Sequence, residues 1–222
     1  MLSPAPRRNG LARWVFGADP VRRAIYVIGM VPAVAYFYLG LTDQLGADPQ
    51  NVLERALGLW ALRFLIASLA ITPLRRLGGP NIVRYRRAVG LLAFYYAALH
   101  LTTYMVLDQG LDWAAIWADI VKRPYITVGM LAFIILVPLA VTSNGPSIRR
   151  LGARWNRLHR LVYVAAAAGA LHFIMLVKVW PLEPLIYAAL VAGLLLLRFQ
   201  VYARKRWAAK PAVSPARTRS AG

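Results

Sequence analysis

The chain has 222 residues, of which 59% are hydrophobic, and its formal net charge is +19. It contains no cysteine, which excludes covalently attached c-type haem, cysteine-ligated iron–sulfur clusters, disulfides and thiolate zinc sites. The apolar residues form long runs between clusters of charge, as in a membrane protein. We therefore read the excess of arginine as loop charge and not as a nucleic-acid-binding surface.

Six apolar runs have the length of about 17–22 residues that a helix needs to cross a bilayer core. They are expected at residues 23–41, 56–74, 88–107, 124–142, 158–178 and 182–199. The predicted fold class is all-α, a six-helix transmembrane bundle over residues 23–199. A basic N-terminal segment (residues 1–22) precedes it, and a basic tail (residues 200–222) follows it. This tail is expected to be disordered beyond about Ala208.

Charge alternates from one predicted loop to the next. The N-terminal segment, the loops after the second and fourth spans and the tail are rich in arginine. Of the eight acidic residues, only Asp19 lies on this basic side. Because basic residues collect in cytoplasmic loops, both termini are predicted to be cytoplasmic.

The sequence has three histidines, His100, His159 and His172, and all lie inside or at the edge of predicted spans. Ionisable groups are costly in a membrane and usually face an interior partner. His100 and His172 each lie about 20 Å from the cytoplasmic end of a span, at a rise of about 1.5 Å per residue. Two neutral imidazoles at one depth would suit a six-coordinate haem iron, each binding through Nε2. The alternative is that each imidazole is only a tolerated, hydrogen-bonded neutral group.

Residues around this pair suit a porphyrin. The run AAAAGAL, residues 165–171, would leave room for a flat macrocycle, although small residues also let membrane helices pack closely. Aromatic walls are expected from Phe94, Tyr95, Tyr96 and Phe173.

His159 lies at the cytoplasmic end of the fifth span, where the third span offers Arg86 and Arg87 but no histidine. On an ideal helix His159 is turned about 140° away from His172, so one straight face does not hold both, although a helix irregularity near Gly169 could reconcile them. His159 could ligate a second haem, contact a flavin or quinone, or be an interfacial histidine. The sequence leaves these alternatives open.

Arg63 lies within the second span, where an arginine needs a counter-charge. Apart from Glu183 at the outer edge of the sixth span, no carboxylate falls within the predicted spans, and a haem propionate would supply one by bidentate pairing. The alternative is that the side chain extends to the outer surface, helped by Glu54 or Asp108.

Tryptophans mark one loop on the acidic side. Trp113 and Trp117 lie in loop 108–123, which together with loop 42–55 could dock a partner protein. They could equally lie among lipid headgroups, where aromatic residues are enriched.

Four stretches carry a resemblance to a known family: LGLWALRFLIASLAITPLRR, RYRRAVGLLAFYYAALHLTTY, RPYITVGM and RWNRLHRLVYVAAAAGALHFIMLVK. Over roughly residues 20–200 the chain resembles the haem-binding membrane subunits of periplasmic methionine sulfoxide reductase systems, the MsrQ type. The LHRLVY and LHF elements also occur in the wider ferric-reductase-like transmembrane family.

The resemblance implies a b-type cytochrome of the bacterial inner membrane, an electron-transfer subunit and not the catalytic one. It would take electrons from the quinone pool, or from a flavin reductase, and pass them to a periplasmic molybdopterin-containing reductase that repairs methionine sulfoxide. It implies haem b, with a second haem left open, and FMN at residues that no motif identifies. The axial ligands would be His100 and His172. A third important histidine corresponds to His159, and an arginine pair to Arg86 and Arg87.

Other functions explain less of the sequence. The sequence distinguishes a stand-alone ferric or quinone reductase from this electron-transfer subunit only through the family motifs. A transporter with a histidine relay predicts intramembrane acidic residues and often internal symmetry, and we find neither in the sequence. A structural anchor would leave the three histidines unexplained.

Overall fold

The computed structural model of the chain describes residues 19–176 and 181–208, and this part of the chain is built of helices. The α-helices are α1 (Pro20–Leu41), α2 (Pro49–Arg76), α3 (Arg86–Thr103), α4 (Trp113–Lys122), α5 (Pro124–Val141), α6 (Gly145–Leu151), α7 (Ala153–Leu158), α8 (Val162–Leu176) and α9 (Leu182–Ala208). Turns of 3₁₀-helix at Val83–Tyr85 and His159–Leu161 precede α3 and α8, and a π-helical turn at Tyr104–Asp108 follows α3.

The described residues contain six segments that are long and apolar enough to cross a membrane. They are Pro20–Leu41, Pro49–Arg76, Val83–Asp108, Pro124–Val141, Ala153–Leu176 and Leu182–Gln200. The all-α class and the six candidate spans predicted from the sequence are thereby confirmed for this part of the chain.

Helix α2 begins seven residues before the predicted start of the second span. Asp48 caps it, accepting a hydrogen bond from the backbone N–H of Asn51 at 3.2 Å, and Pro49 occupies its first turn. Both residue types favour the start of a helix. Glu54, which the sequence analysis places outside the span, therefore lies inside α2.

Helix α9 continues past the predicted boundary at residue 199 and ends at Ala208, so residues 200–208 of the predicted tail are helical. The stretch contains no proline or glycine, and its basic residues lie at the C-terminal end, where they favour the helix dipole. The predictions for residues 1–18, 177–180 and 209–222 fall outside the described residues.

Two antiparallel helix pairs form the bundle. In the first pair, α2 and α3, His100 bonds the Glu54 carbonyl near one end and the Ser68 hydroxyl lies 3.3 Å from the Arg86 carbonyl near the other. In the second pair, α5 and α8, His172 bonds the Tyr125 carbonyl near one end. Just beyond the other end, the Ser143 hydroxyl lies 3.3 Å from Nε2 of His159. Helix α1 packs on α3, and α9 packs on α8. We call the end with the arginine-rich α2–α3 and α5–α8 connections the basic end, and the opposite end the acidic end.

The centre of the bundle is an apolar cluster contributed by α2, α3, α5, α8 and α9. Ala165 and Ala166 are almost completely buried in it, next to leucines such as Leu62 and Leu65. The alanine run therefore serves close helix packing. The expectation that it leaves room for a macrocycle is not supported at these positions.

Tyr95 and Tyr96 pack towards α1 and do not form the predicted aromatic walls. The buried Tyr96 hydroxyl donates to the Gly29 carbonyl at 2.7 Å and accepts from the Ala33 N–H at 2.9 Å. Pro32 precedes Ala33, and a proline inside a helix disturbs the local backbone hydrogen bonds. The hydroxyl bonds two backbone groups beside this proline and joins α1 to α3.

Candidate functional site

His100 of α3 and His172 of α8 lie side by side towards the acidic end of the bundle. Their ring centroids are 6.2 Å apart, and their planes meet at 73°. The structure therefore brings together the two histidines that the sequence analysis places at one depth.

Each ring is held by a backbone carbonyl of the neighbouring helix. The Nδ1 atom of His100 lies 2.9 Å from the Glu54 oxygen of α2, and the Nδ1 atom of His172 lies 2.6 Å from the Tyr125 oxygen of α5. A carbonyl can only accept, so both Nδ1 atoms must carry the hydrogen, which leaves Nε2 of each neutral ring with a free lone pair. Within the described residues, neither Nε2 has a hydrogen-bond partner.

Two glycines that the sequence analysis missed lie against these rings. A Cβ atom built on Gly58 would stand 3.1 Å from Nδ1 of His100, and one on Gly129 would stand 2.8 Å from Nδ1 of His172. The available signal was a glycine inside each apolar run, four residues after the carbonyl that accepts. Nothing in the sequence identifies that carbonyl.

A chain of polar contacts fixes Tyr125 at the acidic end. The Tyr104 hydroxyl donates to Asp119 at 3.2 Å, Asp119 forms an ion pair with Arg123 at 3.1 Å, and Arg123 donates to the Tyr125 hydroxyl at 3.3 Å. The hydrogen bond to Tyr125, together with the charge of Asp119, raises the pKa of the Arg123 guanidinium, which therefore stays charged. Parts of the RPYITVGM stretch thus support the carbonyl that binds His172.

His159 occupies a separate site at the basic end. Its ring stacks on Trp155 at 3.8 Å, its Nδ1 atom lies 3.2 Å from the Trp155 carbonyl, and its Nε2 atom lies 3.3 Å from the Ser143 hydroxyl. The helix irregularity is at His159–Leu161 itself, because the chain turns there from α7 into α8. Gly169 lies in regular helix, so it is not an irregularity there that sets the relative orientation of the two histidines.

A cavity of about 410 Å³ opens beside His159. Four arginines line it: Arg86, Arg87, Arg160 and Arg198. No carboxylate is found among its described lining residues, and Trp155 contributes an aromatic surface. A volume of this size is in the range of small-ligand sites. The positive, partly aromatic lining suits a planar molecule with electron-rich or anionic oxygens.

Arg63 is half-buried among aromatic residues. Its Nε atom donates to the Tyr187 hydroxyl at 2.8 Å, and its guanidinium lies 4.9 Å from the Trp60 ring centroid. In the described part of the chain it forms no ion pair, so neither Glu54 nor Asp108 provides the counter-charge. Cation–π and hydroxyl contacts hold the side chain. Pairing with a haem propionate and extension towards the outer surface both stay predictions.

Helix α4, which the sequence analysis did not predict, carries the two tryptophans of the acidic end. Trp113 and Trp117 are 66% and 68% exposed and lie one turn apart, whereas Ile116 is buried against the bundle. Both predicted roles, partner docking and lipid contact, remain compatible with this exposed face.

Comparison with known proteins agrees with this geometry. The family described as ferric reductase like transmembrane component matches residues 57–170. Proteins of Brucella ovis, Brucella canis and Brucella suis named protein-methionine-sulfoxide reductase heme-binding subunit MsrQ are each 62% identical over 192 residues. The match covers 86% of this chain and 86% of each relative. No solved structure matches the chain. The resemblance inferred from the four stretches is confirmed, and the chain belongs to the MsrQ family of heme-binding subunits within the ferric-reductase-like transmembrane proteins.

Proposed function

We propose that this chain is a b-type cytochrome subunit of the bacterial inner membrane. It would carry electrons from the quinone pool to a periplasmic, molybdopterin-dependent methionine sulfoxide reductase. The observation that carries the proposal is the His100–His172 pair, with both Nδ1 atoms bonded to backbone carbonyls and both Nε2 atoms free. The names of the relatives, which include heme binding and methionine sulfoxide reductase, support it.

The donor set of the pair fits haem. A metal–imidazole bond is about 2 Å long and the ring centre lies roughly 1 Å beyond the nitrogen, so a centroid separation of about 6 Å would leave space for one iron held by a nitrogen of each ring. The observed separation is 6.2 Å. The described residues contain no group of three or more His, Asp or Glu side chains that could hold a bare metal ion, which favours an iron already held by a porphyrin. When bound, haem supplies reversible one-electron transfer at its iron.

His100 and His172 would hold the iron, and the protein would keep the site apolar and dry. Backbone carbonyls fix the two rings without adding charge. We place one haem b here. His159 is engaged by Ser143 and faces arginines instead of a second histidine, so the described residues offer no second histidine pair.

We assign the cavity at the basic end to the electron donor. His159, Arg86 and Arg87 line it, and quinol is a donor whose planar ring and oxygen atoms suit this lining. The FMN implied by family resemblance would find its phosphate partners among the same arginines.

The orientation of the chain follows from its charge. The connections and the adjoining helix ends at the basic end carry most of the described arginines, and arginine is retained on the cytoplasmic side of bacterial membranes. Both termini are then cytoplasmic, and the histidine pair lies towards the periplasm. This position suits delivery of electrons to a periplasmic reductase, for which the loops of the acidic end are the available surface.

Arg63→Ala is expected to lower the midpoint potential of the haem by an amount on the order of tens of millivolts. Arg63 bonds Tyr187, whose ring lies 6.0 Å from that of Phe173, the neighbour of His172. A positive charge in this region favours the ferrous state, which is the less positive of the two. Redox titration followed by absorption spectroscopy measures the shift.

Arg63→Lys and Tyr187→Phe separate charge from hydrogen bonding. The lysine variant keeps the charge, so its midpoint potential should stay close to that of the wild type. The phenylalanine variant removes the hydroxyl that accepts from Arg63 and should have a small effect. A potential that does not move in Arg63→Ala would show that this charge does not act on the haem.

The experiment that tests the function is a reduced-minus-oxidised absorption spectrum of the detergent-purified chain, with haem quantified per chain. A b-type spectrum at about one haem per chain is expected. About two haems would overturn the single-haem assignment and make His159 a ligand. No haem, after expression with adequate haem supply, would refute the proposal.

A second measurement tests the role within a complex. Membranes containing the chain, a quinol and the periplasmic reductase should reduce methionine sulfoxide, and omitting the chain should abolish this activity. Equal turnover with ferric chelates and no partner would instead favour a stand-alone ferric reductase, as the broader family description suggests.

A further inference from the structure

The two histidines are positioned by the same local arrangement on two different helix pairs. His100 of α3 bonds the carbonyl of residue 54 on α2 and lies against Gly58 of the same helix α2. His172 of α8 bonds the carbonyl of residue 125 on α5 and lies against Gly129 of the same helix α5. In both cases the glycine follows the accepting carbonyl by four residues.

Helix geometry explains why the fourth residue matters. The carbonyl of residue i accepts the N–H of residue i+4, so residue i+4 stands next to that oxygen. Its Cβ atom tilts towards the helix N-terminus, in the direction of an imidazole that approaches the same oxygen. Any side chain at this position therefore competes with the ring for space.

The distances show that a Cβ atom on Gly129 would be too close to the His172 ring, and that one on Gly58 would require the His100 ring to move by a few tenths of an ångström. A Cβ on Gly58 would meet Nδ1 and Cε1 of His100 at 3.1 and 3.2 Å, and one on Gly129 would meet the same atoms of His172 at 2.8 and 3.0 Å. The nearest neighbours of each built Cβ are imidazole atoms and not apolar side chains.

Other helical glycines of the described chain behave differently. Gly193 has nothing within 4 Å of a built Cβ, and Gly169 has only Leu62 at 3.9 Å. Gly29 lies against the Leu92 side chain, as expected of a residue that lets two membrane helices pack closely. The glycine–imidazole contact is therefore specific to the histidine pair.

The repetition strengthens the assignment. The histidine follows the glycine by 42 residues in the first hairpin and by 43 in the second. In both hairpins the glycine is on the first helix and the histidine on the second. Two hairpins thus present their imidazoles to each other from equivalent positions, although no sequence repeat is visible.

We propose that Gly58 and Gly129 are positioning residues for the haem ligands, an inference that rests on the proposed haem site. Each leaves room for its imidazole to donate Nδ1–H to the carbonyl one turn earlier. This contact selects the tautomer with the hydrogen on Nδ1 and keeps Nε2 available for iron. Each glycine acts on its own histidine, Gly58 on His100 and Gly129 on His172.

The test uses nitrogen NMR of the full chain labelled with ¹⁵N only in histidine, which gives three imidazoles to follow. The chain is used as purified; any haem is reduced, since low-spin ferrous iron is diamagnetic. Substitution of one histidine at a time assigns the signals. In the wild type, His100 and His172 are expected to carry hydrogen-bonded Nδ1–H.

Gly58→Ala is expected to displace the Nδ1–H signal of His100 and leave that of His172 in place, and Gly129→Ala should do the reverse. Each variant should also bind haem about tenfold or more weakly, the usual effect of losing a partner of a metal ligand. Gly193→Ala and Gly29→Ala are the controls. The first adds a methyl group in open space, the second disturbs helix packing away from the histidines, and neither should move an imidazole signal.

Three results would overturn the inference. The first is a wild-type tautomer with hydrogen on Nε2 of either ring, which needs no variant to fold. The second is an unchanged signal in both glycine variants, and the third is equal displacement of both signals by Gly29→Ala. If the wild type binds no haem but shows the Nδ1–H tautomers and their selective loss, the positioning role stands and the proposed function fails.

Discussion

His100→Ala and His172→Ala are each expected to leave the purified chain with less than about a tenth of the wild-type haem. Each substitution removes one of the two proposed nitrogen ligands, and the loss of an outer partner alone weakens metal binding by about 10–100-fold. The remaining histidine cannot compensate, because its Nδ1 is bonded to a carbonyl and its ring supplies a single free nitrogen. Haem per chain, measured from the alkaline pyridine spectrum against protein content, gives the result.

Leu171→Ala is the matched control, since it lies next to His172 on the same helix and is 47% exposed. It should keep its haem. His172→Gly should regain a low-spin spectrum when imidazole is added, because a free imidazole can occupy the space of the missing ring. Normal spectra in both alanine variants would remove His100 and His172 from the iron.

Hydropathy and helix length were sufficient to predict six spans, since apolar runs of about 18 residues or more with few charges are typical of membrane-spanning helices. Helix ends were less accurate. Asp48–Pro49 and Asp19–Pro20 are recognisable start signals, and they begin α2 and α1, but an apolar count ignores them. Helix α4 was not predicted, because its ten residues are too few to cross a membrane and Ile116 is its buried residue.

The histidine pair could be predicted because depth along parallel helices is simple arithmetic. The partners of the pair could not, since any residue can supply a backbone carbonyl and only tertiary structure selects Glu54 and Tyr125. The same holds for Arg63, whose hydroxyl partner Tyr187 is 124 residues away in sequence. The sequence analysis predicted a charged partner for Arg63 and did not predict that aromatic side chains would surround it.

His159→Ala is expected to keep about one haem per chain, still reducible by dithionite, while reduction by a quinol slows about 100-fold. Quinol oxidation releases protons together with electrons, and a well-placed base typically contributes at least this factor. The Nδ1 atom of His159 faces the Trp155 carbonyl, so its Nε2 can accept a hydrogen from a quinol in the adjoining cavity. The Ser143 hydroxyl, 3.3 Å from Nε2, donates its hydrogen to the Leu139 carbonyl at 2.7 Å. Stopped-flow absorption of haem reduction, with a water-soluble quinol, measures the rate.

Two controls separate proton transfer from simple damage to the cavity. Ser143→Ala removes the hydroxyl 3.3 Å from Nε2 but leaves the base, so its rate should change only a few-fold, below the effect of losing the base itself. His159→Gln keeps polarity and approximate size without a basic nitrogen, and should be as slow as His159→Ala.

Wild-type quinol rates in both His159 variants would place the donor elsewhere. A fall from two haems to one in His159→Ala would instead make this residue an iron ligand, and complete loss of haem would mean that the pairing of His100 with His172 is wrong.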